Sequence, residues 1–337
     1  MKCKNESGKI ADWWFIYKMP MHVGSKENNG SDYLYYDEDC KALQLSENTL
    51  EDKKGALYNT LNEVFNSKDE NDGYIIYNDE NPDGDRDQQK RGHCKGILAF
   101  NKTKNTGTVI LHSVPRFPFK GELDLPKKEL KYGQTFLCVE LSGFDVVEEF
   151  AAQMLKQQNP EVGTKDSFLP KNIAKTDALY KLYHELDIDE SVTPSVTEFK
   201  SKAGKDFSLI AKSKAWNDDF WIDLVGPTLK VDMEVETWRR GPVTPSHTTK
   251  SEEEILDVIQ INLSNLGLKD YHWKYTQDHS KWGVATKKAD AKNKWVCIAD
   301  INAMISQEKR GGGGIAFKEP KLWDSLVNMV EEFKEEV

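Results

Sequence analysis

Two short stretches of this 337-residue chain place a histidine two positions before a lysine: Gly92-His93-Cys94-Lys95-Gly96 and Asp278-His279-Ser280-Lys281-Trp282. Residues i and i+2 of a strand share a face, so each stretch would set an imidazole beside an ammonium on one surface. That pairing suits phosphodiester chemistry. The reaction needs a nucleophile, a proton donor for the departing oxygen and positive charge on the non-bridging oxygens, and two imidazoles with two lysines supply all three. One His-x-Lys triplet is unremarkable in a chain of this size. Two of them at matching positions are informative, because two half-sites facing each other would make one centre. His112 ends one apolar run and Asn302 closes another, so each half could add a third polar residue. A capped strand end and a turn former are the plainer readings of those two.

The elements that must position these side chains show as patterns. Each motif opens a hairpin, the first from residues 96–100 and 108–112 and the second from 280–286 and 295–302. The aromatic and β-branched stretch 10–18, with Pro20 and Gly24 behind it, reads as a buried strand. Tyr33, Tyr35 and Tyr36 mark a short strand, and residues 74–77 another inside the polar loop 67–91. Residues 50–65, 145–157 and 172–186 have helical character, whereas 208–211 and 220–225 are strand-like. Ser251 with Glu254 fits a capping box and predicts a helix over 251–263. Leu322, Trp323, Leu326, Val330 and Phe333 predict an amphipathic helix at the end of the chain. A length above about 250–300 residues favours two cores. The joint falls around 155–200, giving halves 1–160 and 161–337 with one motif each.

With 38% hydrophobic and 10% aromatic residues the chain can bury a sizeable core. No run of 18 apolar residues occurs, which excludes a membrane-spanning helix. The five cysteines form no C-x-x-C pair and no histidine spacing suits zinc, so neither a metal nor another cofactor is expected. The first residues lack the apolar stretch of a signal peptide, as in a cytosolic or an already processed chain. Sequons at Asn5, Asn29, Asn101 and Asn262 lean towards a secreted, processed one. The formal charge of −10 repels a polyanion at neutral pH. Below about pH 5.5 the seven histidines charge and some carboxylates protonate, which favours a DNA ligand.

The chain resembles the deoxyribonuclease II family, itself related to the phospholipase D superfamily. The resemblance is carried by residues 12–20, 92–96, 112–118, 132–138, 278–282 and 300–312, in family order and across nearly the whole chain. It implies an α/β fold of two pseudo-symmetric, phospholipase D-like αβ sandwich halves, with mixed sheets, sharing one central site. It implies endonucleolytic cleavage of double-stranded DNA at acid pH without divalent metal, leaving 3′-phosphate ends, in lysosomes or after secretion. His93, Lys95, His279 and Lys281 then form the catalytic core, with His112 and Asn302 beside them. The resemblance also pairs Cys3 with Cys138 and leaves Cys40, Cys94 and Cys297 unpaired. The sequence departs from the family pattern at Cys94, where a small hydroxyl residue is usual, at Ala303, where an arginine is usual, and at Ala316, where the partner of Cys297 would stand.

Two other readings compete: a phospholipase D-type phosphodiesterase acting on another substrate, and a catalytically weak or inactive secreted relative that binds DNA or a host partner. Double-stranded DNA is the expected partner, with no membrane and a possible homodimer. Lys287, Lys288, Lys292, Lys294, Lys309, Arg310, Arg239 and Arg240 could track phosphates or form a solvated charged turn. Gly311 to Gly314 could admit a phosphate or form a flexible loop. His22, His184, His247 and His272 match no motif, and the strand context of Trp13 and Trp14 favours core packing over base stacking.

Overall fold

The computed structural model describes residues 1–80, 91–118, 123–188, 190–243 and 252–334. It is an α/β fold built on two sheets. The first holds β1 (Trp13–Lys18), β2 (Asp32–Asp37), β3 (Gln44–Thr49), β4 (Asp72–Asn78), β5 (Gly96–Asn101), β6 (Thr106–His112), β7 (Gln134–Leu141) and β8 (Glu161–Val162). Their order is β3-β2-β1-β7-β6-β5-β4-β8. The second holds β9 (Ser195–Lys200), β10 (Asp206–Lys212), β11 (Met233–Thr237), β12 (Ile255–Asn262), β13 (His272–Lys274), β14 (Lys281–Ala285), β15 (Trp295–Ala299), β16 (Gly312–Lys318) and β17 (Val330–Lys334). Its order is β13-β12-β11-β14-β15-β16-β10-β9, with β17 on β12. The run β1-β7-β6-β5-β4 in one sheet matches β10-β16-β15-β14-β11 in the other, so the two sheets repeat one topology. The second is mixed, since β11 and β12 run parallel.

Alternation along β1 shows how the layers meet. Trp13, Phe15 and Tyr17 point into the core shared with the second sheet, while Trp14 and Ile16 point the other way, towards Leu57 and Leu61 of the helix α1 (Ala56–Asn66). The shared core is aromatic: Trp13 meets Phe317 and Tyr17 meets Trp273, at 5.1 and 5.5 Å between ring centroids. Helix α2 (Phe144–Gln153) contributes Val147 and Phe150 to it. Cys3 and Cys138 form the expected disulfide, and Cys40, Cys94 and Cys297 are free. Cys297 lies directly opposite Ala316 across β15 and β16, so the missing partner is a neighbour in register.

Three expectations fail. Residues 251–263 form strand β12 from Ile255 rather than a helix; Ser251 lies outside the described residues, as does His247. Ile255, Val258 and Ile261 recur at three-residue steps, but the density of β-branched side chains and the pairing with β11 favour a strand. Residues 220–225 turn helical instead of extending, because Asp219 Oδ1 accepts the N–H groups of Trp221 and Ile222 at 2.8 and 2.9 Å. The last helix stops early: α6 (Pro320–Val327) gives way to β17, which completes the edge of β12. Helices α3 (Ala178–Tyr183), α4 (Gly226–Leu229) and α5 (Ile305–Glu308) are short connectors.

Candidate active site

Both motifs stand at the entrance of their hairpins, one just before β5 and the other running into β14. His93, Lys95, His279, Lys281 and Asn302 line one cleft of about 620 Å³. Each histidine is held from the opposite side of the molecule. The His93 N–H donates to the Gly311 carbonyl at 2.7 Å, and the His279 N–H to the Gly133 carbonyl at 2.8 Å. This needs close backbone approach: a Cβ on Gly311 would stand 2.6 Å from the Gln157 and Gln158 carbonyls. The glycine run is therefore strand, with Gly312 to Gly314 in β16, and not a flexible loop.

The ring contacts fix the tautomers. His93 Nδ1–H donates to the Asp300 carbonyl, which turns Nε2 towards Asp79 Oδ2 at 3.4 Å. His279 Nδ1–H donates to Glu129 Oε2 at 3.2 Å, its ring stacks on Tyr132 at 3.8 Å, and Trp238 meets it edge-on. Behind it the buried Asp278 accepts from Tyr17 Oη and Trp273 Nε1, both at 2.5 Å, which anchors the start of the motif in the core. Lys281 is 3% exposed and its ammonium donates to the His279 carbonyl. Lys95, 1% exposed, ion-pairs with Asp79 Oδ1 at 2.8 Å without the alignment of a hydrogen bond. Arg310 approaches Asp79 Oδ2 at 3.7 Å.

Burial sets the charge states. It pushes His93 well below the usual imidazole range, helped by Lys95, Arg310 and Lys281. His279 moves down for the same first reason, against the pull of Glu129. Burial, with repulsion from Lys95, lowers Lys281 to about 7, and burial raises Asp300 to about 7. Among the described residues Lys95 Nζ, His112 Nε2, His279 Nε2 and Asn302 Oδ1 are buried without hydrogen-bond partners, although Lys95 keeps its ion pair with Asp79. Among the described residues six cations line the cleft (Lys95, Arg116, Lys127, Lys128, Lys281, Arg310) against three carboxylates (Asp79, Glu80, Glu129), a locally positive lining in an acidic chain.

His112 is the one expected site residue outside the cleft lining. Its ring packs between Phe117 and Phe136, Nδ1 accepts the Val114 N–H at 3.2 Å, and burial with Lys95 pushes it down to about 3. Of the expected phosphate-tracking cations, Arg310 alone lines the cleft. Arg239 is buried over Tyr275 beside Asp257, and Lys294 lies over Trp323. Trp13 and Trp14 are core residues, His22 and His272 are exposed, and His184 packs on Tyr180 and Tyr183. Cys94 is a buried thiol in the core. Sequence reasoning missed Asp79, Glu129, Tyr132 and Trp238. No motif marks Asp79 and Trp238; Tyr132 opens the segment 132–138 already singled out, and Glu129 stands three residues before it. Among the described residues no cluster of three or more His, Cys, Asp or Glu side chains is placed to hold a metal ion.

Comparison with known proteins shows the family of the chain. The family described as Deoxyribonuclease II matches residues 2–336. A Burkholderia pseudomallei protein named as a deoxyribonuclease-2 is 40% identical over 330 residues, covering 96% of this chain and 90% of that protein. Deoxyribonuclease-2 of Caenorhabditis elegans is 32% identical, covering 95% of this chain and 90% of its own length. Plancitoxin-1 of Acanthaster planci is 30% identical, with 99% and 92% covered. Two His-x-Lys motifs converging on one cleft thus sit in a chain that is similar to these proteins from end to end, and the chain belongs to the deoxyribonuclease II family.

Proposed function

We propose that this protein is an endonuclease that hydrolyses double-stranded DNA at acid pH without a metal ion, leaving 3′-phosphate ends. The observation that carries this reading is the convergence of His93, Lys95, His279 and Lys281, from two topologically equivalent hairpins, on a positive cleft in which His279 Nε2 and Asn302 Oδ1 have no hydrogen-bond partner. One imidazole attacks phosphorus, forming an N–P bond as the P–O5′ bond breaks, and the opposite imidazolium gives its proton to O5′. Water, deprotonated by that second imidazole, then displaces the phosphohistidine. Lys95, Lys281 and Arg310 hold the phosphoryl oxygens as charge develops. Asn302 lines the same space, and His112, neutral behind Lys95, belongs to its wall. The lowered histidines mean that the imidazolium is populated only in acid. The repeated topology supports two phospholipase D-like halves, proposed as residues 1–160 and 161–337 although β8 just past that boundary pairs in the first sheet, and the disulfide supports a secreted or lysosomal setting.

Supercoiled-plasmid nicking across pH 4–8 in excess EDTA, with His279→Ala alongside, tests the reading. Acid cleavage lost in the variant is the expected result. Intact DNA with the native protein would remove catalysis and favour the weak or inactive DNA-binding relative, a reading that Ala303 and Ala316 motivate.

A further inference from the structure

Two buried lysines take no part in the chemistry above. Lys18 ends β1 and Lys212 ends β10, equivalent strands of the two sheets, and neither has any exposed surface. Both close the same pattern, Asp12-x5-Lys18 and Asp206-x5-Lys212. Their registers also match: Lys18 pairs with Gln134 and Lys212 with Gly312, each one residue past the glycine whose carbonyl holds a site histidine. The Lys18 ammonium donates to the carbonyls of Glu129 and Leu130 at 3.0 Å and of Tyr132 at 2.5 Å. The Lys212 ammonium donates to those of Glu308 at 2.7 Å and Arg310 at 2.9 Å.

A buried ammonium carries a desolvation penalty of several kcal/mol, so its retention at two equivalent places calls for a structural return. Each set of acceptors lies in or just after a short helical turn, Glu129–Lys131 or Ile305–Glu308, and the ammonium caps the end of that turn, in the first case on the Glu129 carbonyl together with the Tyr132 N–H. The first loop carries Glu129, Tyr132 and Gly133, which bond, stack on and anchor His279. The second carries Arg310 and Gly311, which face Asp79 and anchor His93. We propose that Lys18 and Lys212 are paired positioning residues, each clamping the loop of its own sheet that orients the histidine of the other.

The proposal deepens the nuclease reading and rests on it for its kinetic consequence, but its direct test does not need DNA. Lys18→Met and Lys212→Met keep the stem and remove the ammonium. Histidine ring 1H–15N spectra, titrated with pH, should show His279 perturbed by Lys18→Met and His93 by Lys212→Met, each with the other ring unchanged. Displacement of a reacting group by about 1 Å commonly costs about 100-fold in rate, so kcat should fall by that order with KM little altered. If a Met variant does not fold, Lys→Gln at the same position keeps a donor and should show a weaker shift at the same histidine. Folded variants in which neither ring moves, or in which each moves both rings alike, overturn the proposal. The predicted ring shifts in a native protein that leaves DNA intact would uphold the clamps and remove the nuclease reading.

Discussion

Lys281 makes the pH dependence of the proposed reaction testable by one substitution. Its ammonium is buried at the start of β14, and burial with repulsion from Lys95 brings it to about 7, against the partial compensation of Asp79, Asp278 and Asp300. The group is charged below that pH and neutral above it. At pH 6 roughly nine molecules in ten carry the charge and at pH 8 roughly one in eleven, so a step that requires the ammonium slows about tenfold over this interval. Arginine stays protonated throughout. Lys281→Arg should therefore lower the absolute rate through its altered reach, yet its kcat/KM should fall about tenfold less than that of the native protein between pH 6 and pH 8. The fall that remains belongs to the imidazolium. A fluorescent duplex-cleavage assay at constant ionic strength from pH 5 to 8.5 reads both profiles. Parallel profiles would refute the assignment, and so would full activity of Lys281→Ala at pH 5, where the ammonium should be worth about 100-fold.

Asp79 faces Lys95 at 2.8 Å, His93 at 3.4 Å and Arg310 at 3.7 Å, an anion in the place that suits a phosphate; Asp79→Asn should lower KM for DNA several-fold near neutral pH, and a rise in KM measured in the same cleavage assay would contradict this. The Cys3–Cys138 bridge closes a separation of 135 residues, so the Cys3→Ser, Cys138→Ser protein should lose up to about 5 kcal/mol in urea unfolding, with no loss as the contrary result. Glu234 is buried, its Oε2 is unpartnered, and burial raises it from 4.5 to about 7, so the native state holds its proton more tightly than the unfolded chain does. That contribution is fully present below about pH 4.5 and lost as pH rises to 7; Glu234→Gln should therefore gain stability relative to the native protein between pH 5 and pH 8, by about 1 kcal/mol or more in paired denaturation curves. DNA affinity of His279→Ala at pH 5 should fall steeply with salt, as expected when several cleft cations neutralise phosphates, and a flat salt response would remove the cleft as the binding surface.

Much of the candidate site could be read from the chain because its proposed reacting groups lie in local, repeated patterns. His93 with Lys95 and His279 with Lys281 needed only strand alternation and hairpin position to be paired, and Asn302 followed from the second hairpin. Asp79, Glu129, Trp238 and Arg310 act through contacts between elements far apart in sequence, where spacing carries no signal. His112 was marked by its place at the end of an apolar run, and its ring stands in the wall between Phe117 and Phe136 with Nε2 buried and unpartnered among the described residues. The errors in the fold have different causes. In residues 255–262 β-branched side chains recur at three-residue steps, which imitates a helix, and the parallel pairing with β11 that decides otherwise is non-local. At 220–225 a local cue, the capping Asp219, was present and outweighed by apolar composition.

The exchange of supports between the two sheets explains why the site is single although its motifs are double. His93 takes its backbone anchor from Gly311 and its ring acceptor from Asp300, both in the C-terminal part of the chain. His279 takes its anchor from Gly133 and its ring acceptor from Glu129, both in the N-terminal part. Neither imidazole is oriented by its own hairpin alone, so each motif becomes geometrically competent only when the two sheets are docked through the aromatic core of Trp13, Tyr17, Trp273 and Phe317. The same docking buries Lys95 and Lys281 and depresses both histidines, which supports the acid working state of the proposed reaction. Assembly of the site and the preference for acid proposed above are in this reading one physical event: the burial that orients the histidines is also the burial that lowers their affinity for a proton.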